Sequence, residues 1–373
     1  MKAQILPVFV LSILLFACSS GAKEEPALKN ALNGKFLIGV AVNEQQALET
    51  DSSDTEIIVK HFNSIVAENC MKSERIQPQK GVFAFDAADR FVAFGEKHNM
   101  FIIGHTLVWH SQAPRWFFTD DEGNDVSREV LIDRIREHIY TLVGRYKGRV
   151  HGWDVVNEAI EEDGSLRNSK FLQIIGEEYI SLAFQFAHEA DPDAELYYND
   201  FNTMKPAKRD AICQLVKKLQ EQGLRVDGIG MQGHMTMTFP TAELTEQAIE
   251  KFAELGQVMI TEMDMTVLPW PEDQVTADVS FRRAADPAFN PYPESLTDSA
   301  SVAWTNRFME FFTVFLNHSD KISRVTMWGL NDQQTWRNNW PIPGRKDYPL
   351  LFDRQNQPKP IVDEIYKAVE AMQ

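Results

Sequence analysis

Two carboxylates close apolar runs in this chain, Glu158 in Trp153-Asp154-Val155-Val156-Asn157-Glu158 and Glu262 in Ile260-Thr261-Glu262. On separate strands facing one glycosidic bond, such a pair meets the demand of glycoside hydrolysis for an acid and a base or nucleophile. Four further strand-like runs end in polar groups that a core strand should not carry. They hold Glu68-Asn69, then His105 with Trp109 and His110, then Asn199-Asp200, then Gln232-Gly233-His234, while Asp264 closes the run of Glu262. Six polar strand ends would cost a great deal in desolvation if they served only a core, since each buried carboxylate or amide needs partners. A ligand site explains them better. Trp109, Trp328 and Trp336 offer flat apolar faces for sugar rings, and the Asn, Gln, His and Lys side chains offer hydroxyl partners, which points to carbohydrate. Parity raises one requirement. Asn157 and Glu158 are adjacent, so a regular strand would send them to opposite sides, and a bulge or turn must re-aim one of them.

Rival chemistries fare worse. The chain has no His-x-His pair and no His-Glu-x-x-His pattern, which argues against a catalytic metal, and no Gly-x-Ser-x-Gly elbow for a Ser nucleophile. Asp and Glu outnumber Lys and Arg 54 to 37, a net charge of −17, which disfavours binding to phosphate backbones. The three cysteines, Cys18, Cys70 and Cys213, are too few and scattered for a disulfide framework or closed zinc site. Cys70 and Cys213 read as small buried hydrophobes.

The elements that must position these residues alternate between strand and helix. Strand-like runs cover Phe36–Asn43, Ser64–Asn69, Met100–His110, Val150–Glu158, Glu195–Asn202, Gly228–His234, Gln257–Asp264 and Arg324–Leu330. Helical periodicity covers Asp86–Asn99, Ser127–Lys147, Lys170–Ala190, Ala207–Gln222, Glu243–Leu255, Ser301–His318 and Ile361–Met372. Eight βα units predict an α/β fold, a single (β/α)8 TIM barrel whose strand ends share one rim. The Pro-rich stretch Leu268–Ser299 reads as one long irregular loop. At the other end, Lys2 and the apolar run Ile5–Ala17 are too short to span a bilayer and read as an export signal over residues 1–17. Ala17-Cys18 resembles a bacterial lipoprotein box, so Cys18 is the expected lipidation site, residues 18–28 a tether, and residues 29–373 the catalytic domain.

Long motifs resemble glycoside hydrolase family 10, the retaining endo-β-1,4-xylanases. Phe62-Asn63-Ser64-Ile65-Val66-Ala67-Glu68-Asn69-Cys70-Met71-Lys72 looks like the family's second-strand motif, and Gly104-His105-Thr106-Leu107-Val108-Trp109-His110-Ser111-Gln112 like its third. Trp153–Ala159 matches the acid/base motif and Ile260–Asp264 the nucleophile motif, and the resemblance runs from about Leu28 to Met372.

The resemblance implies that Glu158 is the general acid/base and Glu262 the nucleophile. It implies that Asn157 bonds the 2-hydroxyl of the sugar at the cleavage point and that His234 bonds near the nucleophile. Glu68, Asn69, Lys72, His105, Trp109, Gln112 and Gln232 would line the glycone side, with Trp328 and Trp336 walling it. Phe201 stands where the family commonly has Tyr. The implied function is hydrolysis of internal links in xylan, with a β-1,4-glucanase of the same clan as the alternative. Retention then calls for an acid whose pKa is raised and an ionised nucleophile. No cofactor and no metal is expected. The expected partners are xylan and xylo-oligosaccharides, with no nucleic acid, the chain being a monomer that meets a membrane only through its lipid anchor. The expected location is the bacterial outer membrane or cell surface, with plain secretion as the alternative.

Overall fold

A computed structural model describes residues 26–269 and 281–372 of the 373-residue chain. The export segment, Cys18, most of the tether, and Trp270 and Pro271 of the long loop lie outside the described residues. Eight strands form one closed barrel: β1 (Leu37–Val42), β2 (Ser64–Ala67), β3 (Phe101–Trp109), β4 (Gly152–Asn157), β5 (Glu195–Asp200), β6 (Gly228–Met231), β7 (Gln257–Thr266) and β8 (Ile322–Met327). Each pairs in parallel with its sequence neighbours, and β8 closes on β1 from Leu37↔Arg324 to Val40↔Met327. This is the (β/α)8 barrel that the alternation of runs predicts. After Gly233, β6 resumes as His234–Thr236 and pairs again with β7, His234 opposite Asp264. Gly233 sits at φ 79°, a left-handed conformation that suits a residue without Cβ, and a Cβ there would come within 2.9 Å of Ile260.

Helices follow the expected periodic segments at Asp86–Lys97, Arg128–Arg145, Pro206–Glu221, Ala242–Ala253, Asp298–Asn317 and Pro360–Glu370. Ser127, Thr241 and Thr297 cap three of them by accepting from backbone N–H groups, each cap contributing about 1 kcal/mol. The expected helix Lys170–Ala190 is in fact two, Lys170–Ile175 and Glu178–Ala190. Gly176 at φ 88° ends the first, and Arg128 Nε takes up the freed carbonyl of Ile175 at 3.3 Å. Periodicity did not reveal the helix Ser52–His61, because its inward face holds Asp54 and His61 beside Ile58. Asp54 compensates for that burial by accepting from Gln334, Asn356 and Gln46 at 2.7, 2.8 and 3.4 Å. Cys70 is buried as expected, whereas Cys213 is only half-buried.

The main core lies between the strands and the helix ring, with Phe91, Ile139, Phe184, Phe252 and Phe312 all inaccessible. A smaller cluster of Ala41, Val66, Ile103, Tyr197, Met259 and Trp328 fills the barrel interior. Gly104 keeps β3 close to β4, since a Cβ there would collide with the Trp153 ring at 2.1 Å. Pairing register slips at four places: β3 against β4 between His105 and Val108, β4 against β5 between Asp154 and Val156, and β7 against β8 between Val258 and Met259 and again between Ile260 and Met263. All lie on or beside the strands that carry Glu158 and Glu262, where bulges re-aim side chains.

Candidate active site

β4 ends at Asn157, and Glu158 follows with φ 59°, a left-handed conformation that non-glycine residues adopt at a cost. The slip in β4 and this turn meet the parity requirement, because both side chains face the rim. Asn157 Nδ2 donates to Glu158 Oε1 at 3.4 Å, and Gln232 Nε2 donates to Asn157 Oδ1 at 3.2 Å and Glu158 Oε1 at 3.0 Å. Glu158 N–H donates to Asn199 O at 2.9 Å, and Arg167 Nε donates to Glu158 O at 2.7 Å.

The slip in β7 lets Glu262 N–H donate to Gln232 O at 2.7 Å. Glu262 Oε1 accepts from Asn199 Nδ2 at 2.7 Å, and that amide also donates to Asn157 Oδ1 at 3.0 Å. Thr261 Oγ1 fixes the amide by donating to its Oδ1 at 2.6 Å. An unbroken chain of contacts therefore joins the carboxylates: Glu158, Gln232, Asn157, Asn199, Glu262. Both are nearly closed to solvent, at 7% and 4% exposure.

Behind Glu262 lies a relay of charges. His234 Nε2 is 3.3 Å from Glu262 Oε2 and its Nδ1 is 3.0 Å from Asp264 Oδ1. Asp264 is fully buried and also accepts from Trp336 Nε1 at 2.7 Å and from Arg337 Nε and Nη2 at 2.9 and 2.8 Å. Burial alone would push the His234 imidazole down, but Asp264 and Glu262 outweigh it and raise it to about 9. Burial likewise pushes Asp264 up, and Arg337 and His234 overcome it, holding the carboxyl far below the usual carboxylate range.

Glu158 departs from the expectation of a raised acid. Burial does push its carboxyl up, but His110 with Nδ1 4.0 Å away, the Gln232 hydrogen bond and the Arg167 charge together hold it below its ordinary value in the open site. The correction has a plain cause: residue types show the burial, but not the cationic and amide partners gathered by the fold.

The remaining predicted residues gather on the same rim. Lys72 Nζ donates to Asn69 Oδ1 at 3.0 Å and Gln112 Oε1 at 2.9 Å, and lies 5.0 Å from the centre of the Trp109 ring. Burial lowers Lys72 and raises Glu68, with Lys72 drawing Glu68 back down. His105 Nδ1 is 2.9 Å from Asp154 Oδ2, and its ring meets Trp328 edge-on at 5.3 Å. Trp336 packs between His234 at 5.1 Å and Trp340 at 4.6 Å. An open cavity of about 460 Å3, lined by Asn43, Gln45, Asn69, Arg75 and Gln334 among others, adjoins Asn69. Among the described residues, no group of three or more His, Cys, Asp or Glu is placed to hold a metal ion.

Sequence reasoning assigned no role to Asn199, Asp264, Arg337 or Arg167. The first two were visible as polar strand ends. The two arginines come from the segments after β8 and β4, where no periodicity marks them.

The chain is 45% identical over 366 residues to "Endo-1,4-beta-xylanase A" of Xylanibacter ruminicola, spanning 98% of this chain and 99% of that protein. It is 44% identical over 345 residues to "Endo-1,4-beta-xylanase A" of Thermotoga maritima, spanning 90% of this chain and 30% of that longer protein. A solved GH10 endoxylanase retrieved from a sugarcane soil metagenome superimposes with a TM-score of 0.87 at 41% identity, covering 92% of this chain and 99% of that one. The model of Glycosyl hydrolase family 10 matches residues 27–368, the span that builds the barrel and carries both rim carboxylates. The chain belongs to glycosyl hydrolase family 10.

Proposed function

We propose that this protein is an endo-1,4-β-xylanase that cleaves internal links of xylan with retention of configuration, Glu158 serving as general acid/base and Glu262 as nucleophile. The observation that carries the reading is the hydrogen-bonded chain from Glu158 through Gln232, Asn157 and Asn199 to Glu262, which fixes two carboxyls at one point of the rim. Full-length relatives named as endo-1,4-beta-xylanases support the substrate class.

In the first step Glu262 attacks the anomeric carbon while Glu158 protonates the departing glycosidic oxygen; in the second, Glu158 takes a proton from the water that releases the sugar. A xylan chain seated on the rim displaces solvent from Glu158 and strengthens desolvation, the influence that pushes its carboxyl up. Once Glu262 is esterified its charge is gone, and Glu158 returns to the anionic form that acts as base. Asn157 holds the 2-hydroxyl of the reacting sugar. The Lys72, Asn69, Gln112 and Trp109 group receives the glycone. Trp328 and Trp336 exclude the C6 hydroxymethyl group that glucose carries and xylose lacks. No cofactor takes part.

Digestion of xylan beside carboxymethyl-cellulose tests the reading: reducing ends should appear on xylan with the β-anomer formed first. Release from carboxymethyl-cellulose alone would select the β-1,4-glucanase, and an α-anomer would remove the retaining mechanism. We further propose that Cys18 is acylated and tethers the monomeric enzyme to the outer membrane or cell surface. Cys18→Ala should leave the membrane fraction, and equal partitioning with the parent would refute the anchor.

A further inference from the structure

The barrel buries a second ionisable cluster that the proposed chemistry does not use. Tyr198, Asp200 and Lys208 are all inaccessible to solvent. Lys208 Nζ lies 2.8 Å from Asp200 Oδ1 and 3.7 Å from the centre of the Phe201 ring, and Tyr198 Oη donates to Asp200 Oδ2 at 2.6 Å. A buried ion pair gives little net stability over apolar residues of the same volume, so its position is the informative feature. Tyr198 Oη accepts from Ala159 N–H at 3.1 Å, and Asp200 Oδ2 accepts from Ile160 N–H at 3.3 Å. These are the two residues that follow Glu158.

Glu158 holds a left-handed φ of 59°, a conformation that costs a residue with a Cβ and persists only where neighbours over-determine it. Its own N–H and C=O are fixed by Asn199 and Arg167. The next two peptides are fixed by the tyrosine and the aspartate. We propose that Tyr198 and Asp200, with Lys208 holding Asp200, are positioning residues that lock the turn aiming the Glu158 carboxyl at the glycosidic oxygen. The unit works through backbone N–H groups and touches no substrate. Burial pushes the Tyr198 hydroxyl far up, so it remains a donor to Asp200, and Lys208 counters the rise that burial imposes on Asp200. The inference rests on Glu158 as acid/base.

Its test uses the leaving group. Y198F keeps the ring and removes one oxygen, leaving Ala159 N–H without its acceptor. In the full chain, kcat/KM for xylohexaose, a poor leaving group that needs the acid, should fall roughly tenfold. The value for 2,4-dinitrophenyl β-xylobioside, whose first step needs no proton, should change less than about twofold. D200N keeps an acceptor but leaves the buried Lys208 ammonium without its counter-charge, so its melting temperature is read beside its kinetics, and the folded variant should show the same selectivity. A merely structural role would lower both substrates together. Equal loss on both substrates, or no loss on either, in both variants while E158A remains selective would overturn the proposal. If E158A itself shows no selectivity, the acid/base assignment fails, and this inference falls with it.

Discussion

Glu158 and Glu262 are both buried on the same rim, yet they are held by different means. Around Glu158 are a left-handed backbone, the neutral amide of Gln232 and His110 at 4.0 Å. Around Glu262 the partners alternate in charge: His234, then Asp264, then Arg337. The contrast matches the two tasks proposed for these residues. A group that must bind and release a proton in each turnover is best fixed by backbone geometry and a neutral amide, with the more distant His110 and Arg167 charges tuning its affinity. A group that attacks carbon is best fixed by a charge relay, in which His234 is gripped from its other side by Asp264 and Asp264 in turn by Arg337.

The largest expected effect breaks the relay at its head. Glu262→Ala should lower turnover of xylan and of activated aryl xylobiosides alike, by roughly 10⁵-fold or more, as kinetics on both substrates would show. The next breaks the other half: Glu158→Ala should lower kcat/KM on xylan roughly 10³-fold, yet still release dinitrophenolate rapidly in a burst before slow deglycosylation. Equal impairment of both substrates by both variants would erase the contrast.

Smaller changes sharpen it. Arg337→Met leaves Asp264 short of a partner and should cost about 3 kcal/mol at pH 7 by chemical denaturation. The cost should shrink toward pH 4, because Asp264 without the guanidinium takes up a proton nearer its ordinary 3.8, while in the parent it stays ionised. On the alkaline side, the stability from charged His234 is fully present below its ordinary 6.5 and is lost as pH rises through about 9, so melting temperature should fall over that span. His234→Gln should flatten the decline. The smallest effect concerns the wall: Trp336→Ala should raise the ratio of cellobioside to xylobioside turnover roughly tenfold while lowering xylan activity, and an unchanged ratio would take Trp336 out of the selectivity argument.

Much of this was legible in the sequence. The strands showed as apolar runs with polar ends, which predicted the barrel and the shared rim and singled out Glu158 and Glu262 as the candidate pair. The helix Ser52–His61 hid because it turns Asp54 toward the interior, where the amides of nearby Gln46 and of the distant Gln334 and Asn356 meet it. The break at Gly176 hid inside continuous helical periodicity. Asn199 and Asp264 were visible as types, but their roles depend on which atoms meet across the barrel. Arg337 was invisible for the same reason, since 73 residues separate it from Asp264. The lowered Glu158 follows from contacts to His110, Gln232 and Arg167, which no local pattern records.

The central claim, that these carboxylates divide the labour as acid/base and nucleophile, is tested most directly by azide rescue with a dinitrophenyl xylobioside. Without Glu262, azide attacks the substrate once and should yield the inverted α-azide. Without Glu158, azide intercepts the covalent intermediate and should yield the retained β-azide. The anomeric proton of each product distinguishes them. An α-azide from Glu158→Ala with a β-azide from Glu262→Ala would reverse the roles, and undiminished activity in either variant would place the chemistry elsewhere.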